Sequence, residues 1–277
     1  MSDGTQWQDR DDRALVVRRR LVAEAAARAA GAAHIRHRKA RIDYQTKNDN
    51  KRDLVTAADL EGQAAAEAVI DAAFPGESII GEEDGTTLAQ QAELIDMGGW
   101  LIDPLDGTFM FAHGFPDFSA TVAYVKAGFP LAGAVYAPAL DEMFSAGRGL
   151  GASLNGLPIA VSHCKELDKA IVNVWLGGTL SEHQRAREAE LRKRVFAEFS
   201  FGGTALRLAY VACGRYDLYY MGPRNGPWDI AAGALLVDEA GGVVATAEGG
   251  PFILPTMTMA AGADRATLDE LLAFLAE

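Results

Sequence analysis

Apolar side chains recur at helical spacing in several stretches of the chain. Residues 13–33 predict an amphipathic helix whose apolar face carries Val17, Leu21, Ala25 and Ala29. Thr56 precedes a second such stretch, which predicts a helix capped by Thr56 and ending near Phe74, just before a Pro-Gly pair. The same spacing predicts further helices at 183–197, 204–213, 228–240 and 268–275.

Short apolar runs between these stretches predict strands. Ser78-Ile79-Ile80 and Trp100-Leu101-Ile102 both end in acidic residues, whereas the polar residues 43–53 predict a loop. Asn155-Gly156 predicts a hairpin turn in the glycine-rich region that follows. Helices interspersed with strands predict a layered α/β or α+β fold. The other strands are expected at 121–125, 132–136, 143–146, 171–175, 217–220 and 243–246.

Length and composition narrow the class of protein. The chain has 277 residues, of which 49% are hydrophobic, and this suits one large domain or two tightly joined ones. No apolar run reaches the ~20 residues of a membrane-spanning helix, and the N-terminus lacks the pattern of a signal peptide. We therefore expect a cytoplasmic protein that contacts no membrane.

The formal net charge of -12 is unevenly distributed. Residues 53–277 carry 13 Lys and Arg against 31 Asp and Glu, so nucleic acid is not an expected partner. Residues 1–52 carry 13 Lys and Arg against 7 Asp and Glu. A solvated helix face around Arg18-Arg19-Arg20 is the simplest interpretation; the alternative is a docking surface for a polyanion or an acidic neighbouring subunit.

The segment from Trp100 to Thr108 contains the most informative chemistry. Its predicted strand ends in Asp103 and Asp106, and two buried carboxylates this close repel each other unless a cation lies between them. Ligands that are all oxygen favour Mg²⁺, Mn²⁺ or Ca²⁺ over zinc. Gly107-Thr108 then begins a turn whose N–H groups can face an anion. As isolated dipeptides, Asp-Pro and Asp-Gly are also ordinary turn formers.

Three other acidic motifs are individually weak. Glu82 follows a predicted strand, Asp229 begins a predicted helix, and residues 53–59 place acids near another helix start. A solvated loop or a favourable helix-terminal charge explains each of them alone. Together they supply several carboxylates for one metal site.

In this order the motifs resemble the inositol monophosphatase family of metal-dependent, lithium-sensitive phosphatases. Residues 100–111 are similar to the family's first signature and residues 228–233 to its second, and the similarity extends from Lys47 to Gly242. The resemblance implies an αβαβα sandwich of the inositol monophosphatase and fructose-1,6-bisphosphatase type. It also implies a homodimer and one domain over residues 1–277, with a metal-binding α+β half to about residue 160 and an α/β half from about residue 161.

The resemblance further implies two to three Mg²⁺ ions, with Mn²⁺ as a substitute. Glu82, Asp103 and the carbonyl of Leu105 would bind the first ion. Asp103, Asp106 and Asp229 would bind the second, and a third, weaker ion would lie near Glu82 through water.

Catalytic and substrate-binding roles follow from the same resemblance. Thr108, with Asp59 behind it, would orient the attacking water beside Glu82, and the amides of Gly107 and Thr108 would bind the phosphate. The implied substrate-binding residues are Asp106, Gly107, Thr108, Ala205, Arg224 and Asp229.

Two positions depart from the family pattern and concern the substrate. Phe109-Met110 follows Asp-Gly-Thr, where many members have a small or polar pair, and the stretch 219–227 lacks the glutamate that binds substrate hydroxyls in inositol phosphatases. Arg224 and Asn225 occupy this stretch and suit a second anionic group or a different polyol. The metal motifs are thus intact, whereas the specificity residues are altered. The family resemblance still makes an inositol phosphate or related sugar phosphate the first expectation for the substrate.

Other activities share the metal motifs. The alternative activities are fructose-1,6-bisphosphatase, histidinol-phosphate phosphatase and 3′-phosphoadenosine-type nucleotidase. A non-catalytic family member that binds a partner through its basic N-terminal helix is the alternative outside the enzymes.

Overall fold

The computed structural model describes residues 10–38, 44–46, 54–176, 181–222 and 226–276. No helix in these ranges combines the length and apolar composition needed to cross a membrane. The helices are α1 (Arg10–His37), α2 (Ala57–Ala73), α3 (Leu88–Met97), α4 (Thr108–Ala112), α5 (Glu182–Arg194), α6 (Thr204–Ala212), α7 (Pro227–Glu239) and α8 (Arg265–Ala276). The strands are β1 (Gln45–Thr46), β2 (Leu54–Val55), β3 (Ile79–Gly81), β4 (Gly99–Asp106), β5 (Ser119–Lys126), β6 (Phe129–Ala137), β7 (Glu142–Gly147), β8 (Gly151–Leu154), β9 (Leu157–Pro158), β10 (Ile171–Trp175), β11 (Ala197–Phe199), β12 (Leu218–Met221), β13 (Val243–Ala245) and β14 (Met259–Gly262).

The larger sheet has the strand order β3-β4-β5-β6-β7-β8-β9. Its first two strands are parallel and the later neighbours are antiparallel. Side chains alternate across β4, as the pleat requires. Trp100 and Ile102 pack among the alanines of α1 and α2, whereas Leu101 packs with α6 and α7 on the other face.

The smaller sheet has the order β11-β10-β12-β14-β13 and is mixed. Side chains of α6 and α7 share one core with both sheets, so these helices lie between them. Helices α5 and α8 pack on the outer face, where Leu191 and Leu268 contact the core around Val172. The layers confirm the predicted αβαβα sandwich.

The buried face of α1 is not the predicted one. Val17 is 41% exposed and Leu21 58% exposed, so the prediction that they face the core is wrong. Small residues face the sheet instead, because a side chain that ends at Cβ lets the helix approach closely. This face consists of Ala23, Ala26, Ala27, Ala30 and Ala33, with His34 at its end.

The arginines of α1 contact the protein itself. Arg19 is 6% exposed, pairs with Glu77 at 2.7 Å and lies over the ring of Tyr124. Arg20 donates to the hydroxyl of Ser153 at 2.6 Å. A solvated face is therefore the wrong description of Arg19, and both guanidinium groups already have partners within the chain.

Several elements differ from the sequence prediction. Residues 45–46 pair with β2 inside the predicted loop. Residues 197–199 form strand β11 at the sheet edge rather than the end of a helix, because Val195 already has an extended backbone. Neither α3 nor β14 was predicted, although Thr87 and Gln90 form a capping box that marks the start of α3. The hairpin at Asn155-Gly156 is confirmed, with both residues at positive φ.

Candidate active site

Two parallel strands bring the principal acids to one edge of the larger sheet. Gly81 on β3 lies opposite Ile102 on β4, and the next residues along the two strands are Glu82 and Asp103. Parallel strands end at the same edge, so the two carboxylates become neighbours. The first turn of α7 contributes Asp229 to this edge.

One oxygen from each of Glu82, Asp103 and Asp229 lies within 4.8 Å of the others. Asp103 is 2% exposed. Burial raises the pKa of Asp103 well above its usual value, and the charges of Glu82 and Asp229 raise it further. Burial likewise raises the pKa of Asp229, with the charge of Glu82 as the next cause. Asp103 and Asp229 are therefore harder to ionise than exposed carboxyls, because burial and the neighbouring charges both disfavour their charged forms.

A hard divalent cation fits this group. The donors are all carboxylate oxygens, which is the ligand type preferred by Mg²⁺ and related ions. A cation among them would reverse the electrostatic cost, because each charged carboxylate would then have a favourable partner. The described residues thus fit a metal site at this edge.

The backbone at the start of α6 holds the carboxylate of Asp106. The N–H of Thr204 donates to Oδ1 at 2.8 Å, and the N–H of Ala205 donates to Oδ2 at 2.9 Å. The hydroxyl of Ser119 donates to Oδ2 at 3.2 Å. Burial raises the pKa of Asp106 to about 6, while these N–H bonds oppose the shift. Asp106 lies beside the group of three carboxylates rather than within it.

Gly203 makes this contact possible. A Cβ at this position would lie 2.3 Å from Oδ2 of Asp106, closer than any real Cβ contact. Only glycine lets the start of α6 approach the carboxylate this closely. Gly203 therefore allows the backbone N–H groups of Thr204 and Ala205 to bind Asp106.

A second hydrogen-bonded group lies at the start of α4. The hydroxyl of Thr108 is 3.3 Å from Oδ1 of Asp59 and 3.0 Å from the carbonyl of Leu105. Oδ2 of Asp59 accepts from the backbone N–H and the hydroxyl of Thr56. Burial nevertheless raises the pKa of Asp59 to about 7. Asp59 therefore changes protonation near neutral pH, beside a hydroxyl.

The turn that carries Glu82 is fixed by side chains that the sequence motifs did not single out. Gln63 on α2 accepts from the N–H of Glu83 at 3.1 Å and donates to Asp84 at 2.6 Å. Asp84 accepts from the N–H of Gly81 at 2.7 Å. These bonds hold the backbone on both sides of Glu82 in one conformation.

The structure brings most of the predicted site residues together. Glu82, Asp103 and Asp229 form the three-carboxylate group, and Thr108 lies beside Asp59 and the carbonyl of Leu105. Ala205 reaches the site through its N–H alone, since its side chain is buried in the core. Gly107, with φ of 88°, precedes Thr108. Arg224, Asn225 and Asp53 lie outside the described residues.

Three contributors were missed: Ser119 and Thr204, which bind Asp106, and Gln63, which holds the Glu82 turn. A Gly-Gly-Thr run at a helix start was a signal for Thr204. No local pattern marked Ser119 or Gln63, because their roles depend on contacts between distant segments.

Comparison with known proteins places this geometry in a family. Residues 17–277 match the profile that describes the inositol monophosphatase family. The chain belongs to the inositol monophosphatase family. Its members are phosphatases, and this chain is accordingly a phosphoric monoester hydrolase.

Relatives within the inositol monophosphatase family cover most of the chain. Inositol monophosphatase 2 of Solanum lycopersicum is 39% identical over 213 residues, covering 76% of this chain and 80% of the relative. Fructose-1,6-bisphosphatase/inositol-1-monophosphatase of Thermotoga maritima is 38% identical over 208 residues, covering 74% and 75%. The solved structure of Thermotoga maritima IMPase has a TM-score of 0.80 at 32% identity, covering 91% of this chain and 94% of that one.

Proposed function

We propose that this protein hydrolyses the phosphate monoester of a polyol or sugar, with inositol monophosphate as the first candidate, and that it requires Mg²⁺. The observation that carries the proposal is the convergence of Glu82, Asp103 and Asp229 within 4.8 Å, at the edge where Thr108 lies beside Asp59. Two to three Mg²⁺ ions, with Mn²⁺ as a substitute, are part of the proposal. When bound, they would lower the pKa of water and offset charge on the phosphate and the leaving oxygen.

Side chains and backbone N–H groups of the chain supply the remaining chemistry. Glu82 and Thr108 orient the attacking water. Ionised Asp59 accepts a hydrogen bond from the hydroxyl of Thr108, so the lone pairs of that hydroxyl are free to accept a hydrogen bond from the water. The N–H groups of Gly107 and Thr108 bind the phosphate, as oriented backbone dipoles do for other anions.

Thr108→Ala is expected to lower kcat by ~10²-fold, as for other positioned groups in proton transfer. The change removes the hydroxyl that Asp59 and Leu105 hold, while KM should change little. Steady-state kinetics at saturating Mg²⁺ would measure both parameters. Thr108→Ser keeps the hydroxyl and should retain most of the activity; a rise in KM alone for the alanine variant would make Thr108 a phosphate-binding residue instead.

Substrate choice rests on the stretch 219–227, which contains no acid. A carboxylate there would accept hydrogen bonds from vicinal hydroxyls, and a charged hydrogen bond contributes ~1.5–3 kcal/mol. Its absence favours weaker binding of inositol monophosphate and a broader or shifted range of substrates. The sequence predicts that Arg224 binds the end of the substrate that does not react. An Arg224→Ala variant whose kcat/KM is unchanged for every substrate would exclude this role.

Phosphate release from a panel of monoesters tests the proposal. The panel contains inositol 1-phosphate, fructose 1,6-bisphosphate, histidinol phosphate and 3′-phosphoadenosine 5′-phosphate, each with Mg²⁺ and with excess chelator. We expect release from at least one polyol or sugar phosphate in Mg²⁺, inhibition by Li⁺ and Ca²⁺, and none in chelator. Full activity in chelator would exclude the metal mechanism.

The homodimer and the cytoplasmic location predicted from the sequence belong to the same proposal. Sedimentation of the purified protein and fractionation of cells would check each of them.

A further inference from the structure

His34 is a fully buried polar residue at the end of α1 that faces the metal edge. Its Nε2 lies 2.7 Å from the carbonyl oxygen of Pro104. A carbonyl only accepts, so Nε2 carries the hydrogen and Nδ1 is left with a lone pair. Nδ1 has no hydrogen-bond partner among the described residues. Burial lowers the pKa of His34 to about 4, so the ring is neutral.

The accepting carbonyl belongs to the peptide group that also holds Asp103. The N–H of this group is that of Leu105, and it donates to Oδ1 of Asp103 at 2.9 Å. One peptide plane is thus bound on both sides, by His34 at its oxygen and by Asp103 at its nitrogen. Donation into the carbonyl also strengthens the bond made by the N–H, because linked hydrogen bonds polarise one another.

The surroundings of the imidazole leave it little freedom. The rings of Phe111 and Phe118 lie 5.9 Å and 5.8 Å from its centroid. A Cβ on Gly62 would lie 3.4 Å from Nε2 and 3.5 Å from Cβ of Pro104, so α2 also approaches closely. The ring is therefore fixed against the backbone of the metal segment.

A histidine in this place is costly for the core. Its unpartnered Nδ1 has lost water without gaining a hydrogen bond, and an apolar residue of similar size would avoid this cost. The compensating contact is the hydrogen bond from Nε2 of His34 to the carbonyl of Pro104, the residue between Asp103 and Leu105. This bond favours a role in the geometry of the metal segment over a role in packing.

We propose that His34 is a positioning residue of the metal site, which holds the Pro104–Leu105 peptide so that the Asp103 carboxylate is oriented for a divalent cation. The proposal rests on the proposed metal-dependent function. Groups that orient metal ligands commonly affect affinity, and their loss weakens binding by ~10–100-fold.

Binding of Mn²⁺ to the metal-free protein, measured by calorimetry, tests the proposal without any turnover. The amide nitrogen of glutamine matches the position of Nε2, whereas that of asparagine matches Nδ1 and falls short of Pro104. We expect His34→Asn and His34→Leu to weaken Mn²⁺ binding by about tenfold, and His34→Gln to restore most of it. His34→Leu should unfold near the wild-type temperature, because it removes the unpartnered Nδ1.

Two controls separate the possible outcomes. Ile70→Val lowers packing in the same α1–α2 layer and should leave Mn²⁺ affinity unchanged. The role of His34 would be overturned if His34→Asn and His34→Leu bound Mn²⁺ as tightly as the wild type, or if His34→Asn and His34→Gln bound it equally. If His34→Leu does not fold, the comparison of His34→Asn with His34→Gln decides the matter. Asp103→Asn in the same titration should lose binding, and retained binding there would overturn the proposed metal site instead.

Discussion

Asp103→Asn is expected to lower kcat/KM for the best phosphate monoester by about 10³-fold or more, since loss of about 4 kcal/mol of transition-state stabilisation has this effect. Asp103 is the most buried of the three converging acids and lies within β4, the strand at the edge of the site. Asparagine keeps the shape and one oxygen but removes the charge. It also leaves only two carboxylates, those of Glu82 and Asp229, in the group proposed to bind the cation.

The measurement is phosphate release at rising Mg²⁺, with unfolding followed in parallel. The variant should fold at least as stably as the wild type without metal, because a repelling charge has gone. Asp96→Asn, an exposed acid on α3, is the matched control and should retain wild-type turnover. Activity of Asp103→Asn close to that of the control would show that this carboxylate does not belong to the site.

The metal-free protein is expected to lose stability as pH rises from about 4 to above 7. Burial raises the pKa of Asp59 to about 7 and that of Asp106 to about 6, and it raises the pKa of Asp103 well above its usual value. Over this interval the unfolded chain releases protons that these folded carboxyls still hold, so the free energy of unfolding falls. The lowered pKa of His34 acts in the opposite direction, but it is one group against several carboxyls. For Asp59 alone, three pH units correspond to about 4 kcal/mol.

Urea unfolding at pH 5.5 and pH 8, in chelator and in Mg²⁺, would measure this dependence. Mg²⁺ should restore more stability at pH 8, where the carboxylates are ionised and bind it. Asp59→Asn should reduce the loss in chelator, whereas Asp71→Asn, at an exposed position on α2, should not. Stability that rises with pH in chelator would contradict the raised pKa values.

Local signals were sufficient for the parts of the protein that depend on local chemistry. Thr56 predicted the start of α2, and Asn155-Gly156 predicted its hairpin. Acids after two apolar runs and at one helix start predicted the carboxylates that converge. The αβαβα layering came from the family resemblance rather than from the pattern itself. These features depend on a few neighbouring residues, or on motifs whose order is specific.

Features that depend on long-range packing could not be predicted in this way. The alanine face of α1 and its exposed Val17 and Leu21 show that apolar spacing identifies a helix but not which of its apolar stripes meets a sheet. His34 and Ser119 reach the site from distant segments, and nothing in their neighbouring residues indicates this. Position in the folded chain, rather than local pattern, gives such residues their roles.

The first turns of α6 and α7 both reach the acidic edge, and these two helices form the layer between the sheets. Opening of this layer must therefore separate Asp229 from Glu82 and Asp103. A cation bound by all three would make that separation costly, so it would suppress local unfolding of the middle layer. Amide hydrogen exchange should slow in α6 and α7 when Mg²⁺ is added, while exchange in α5 and α8 on the outer face stays unchanged.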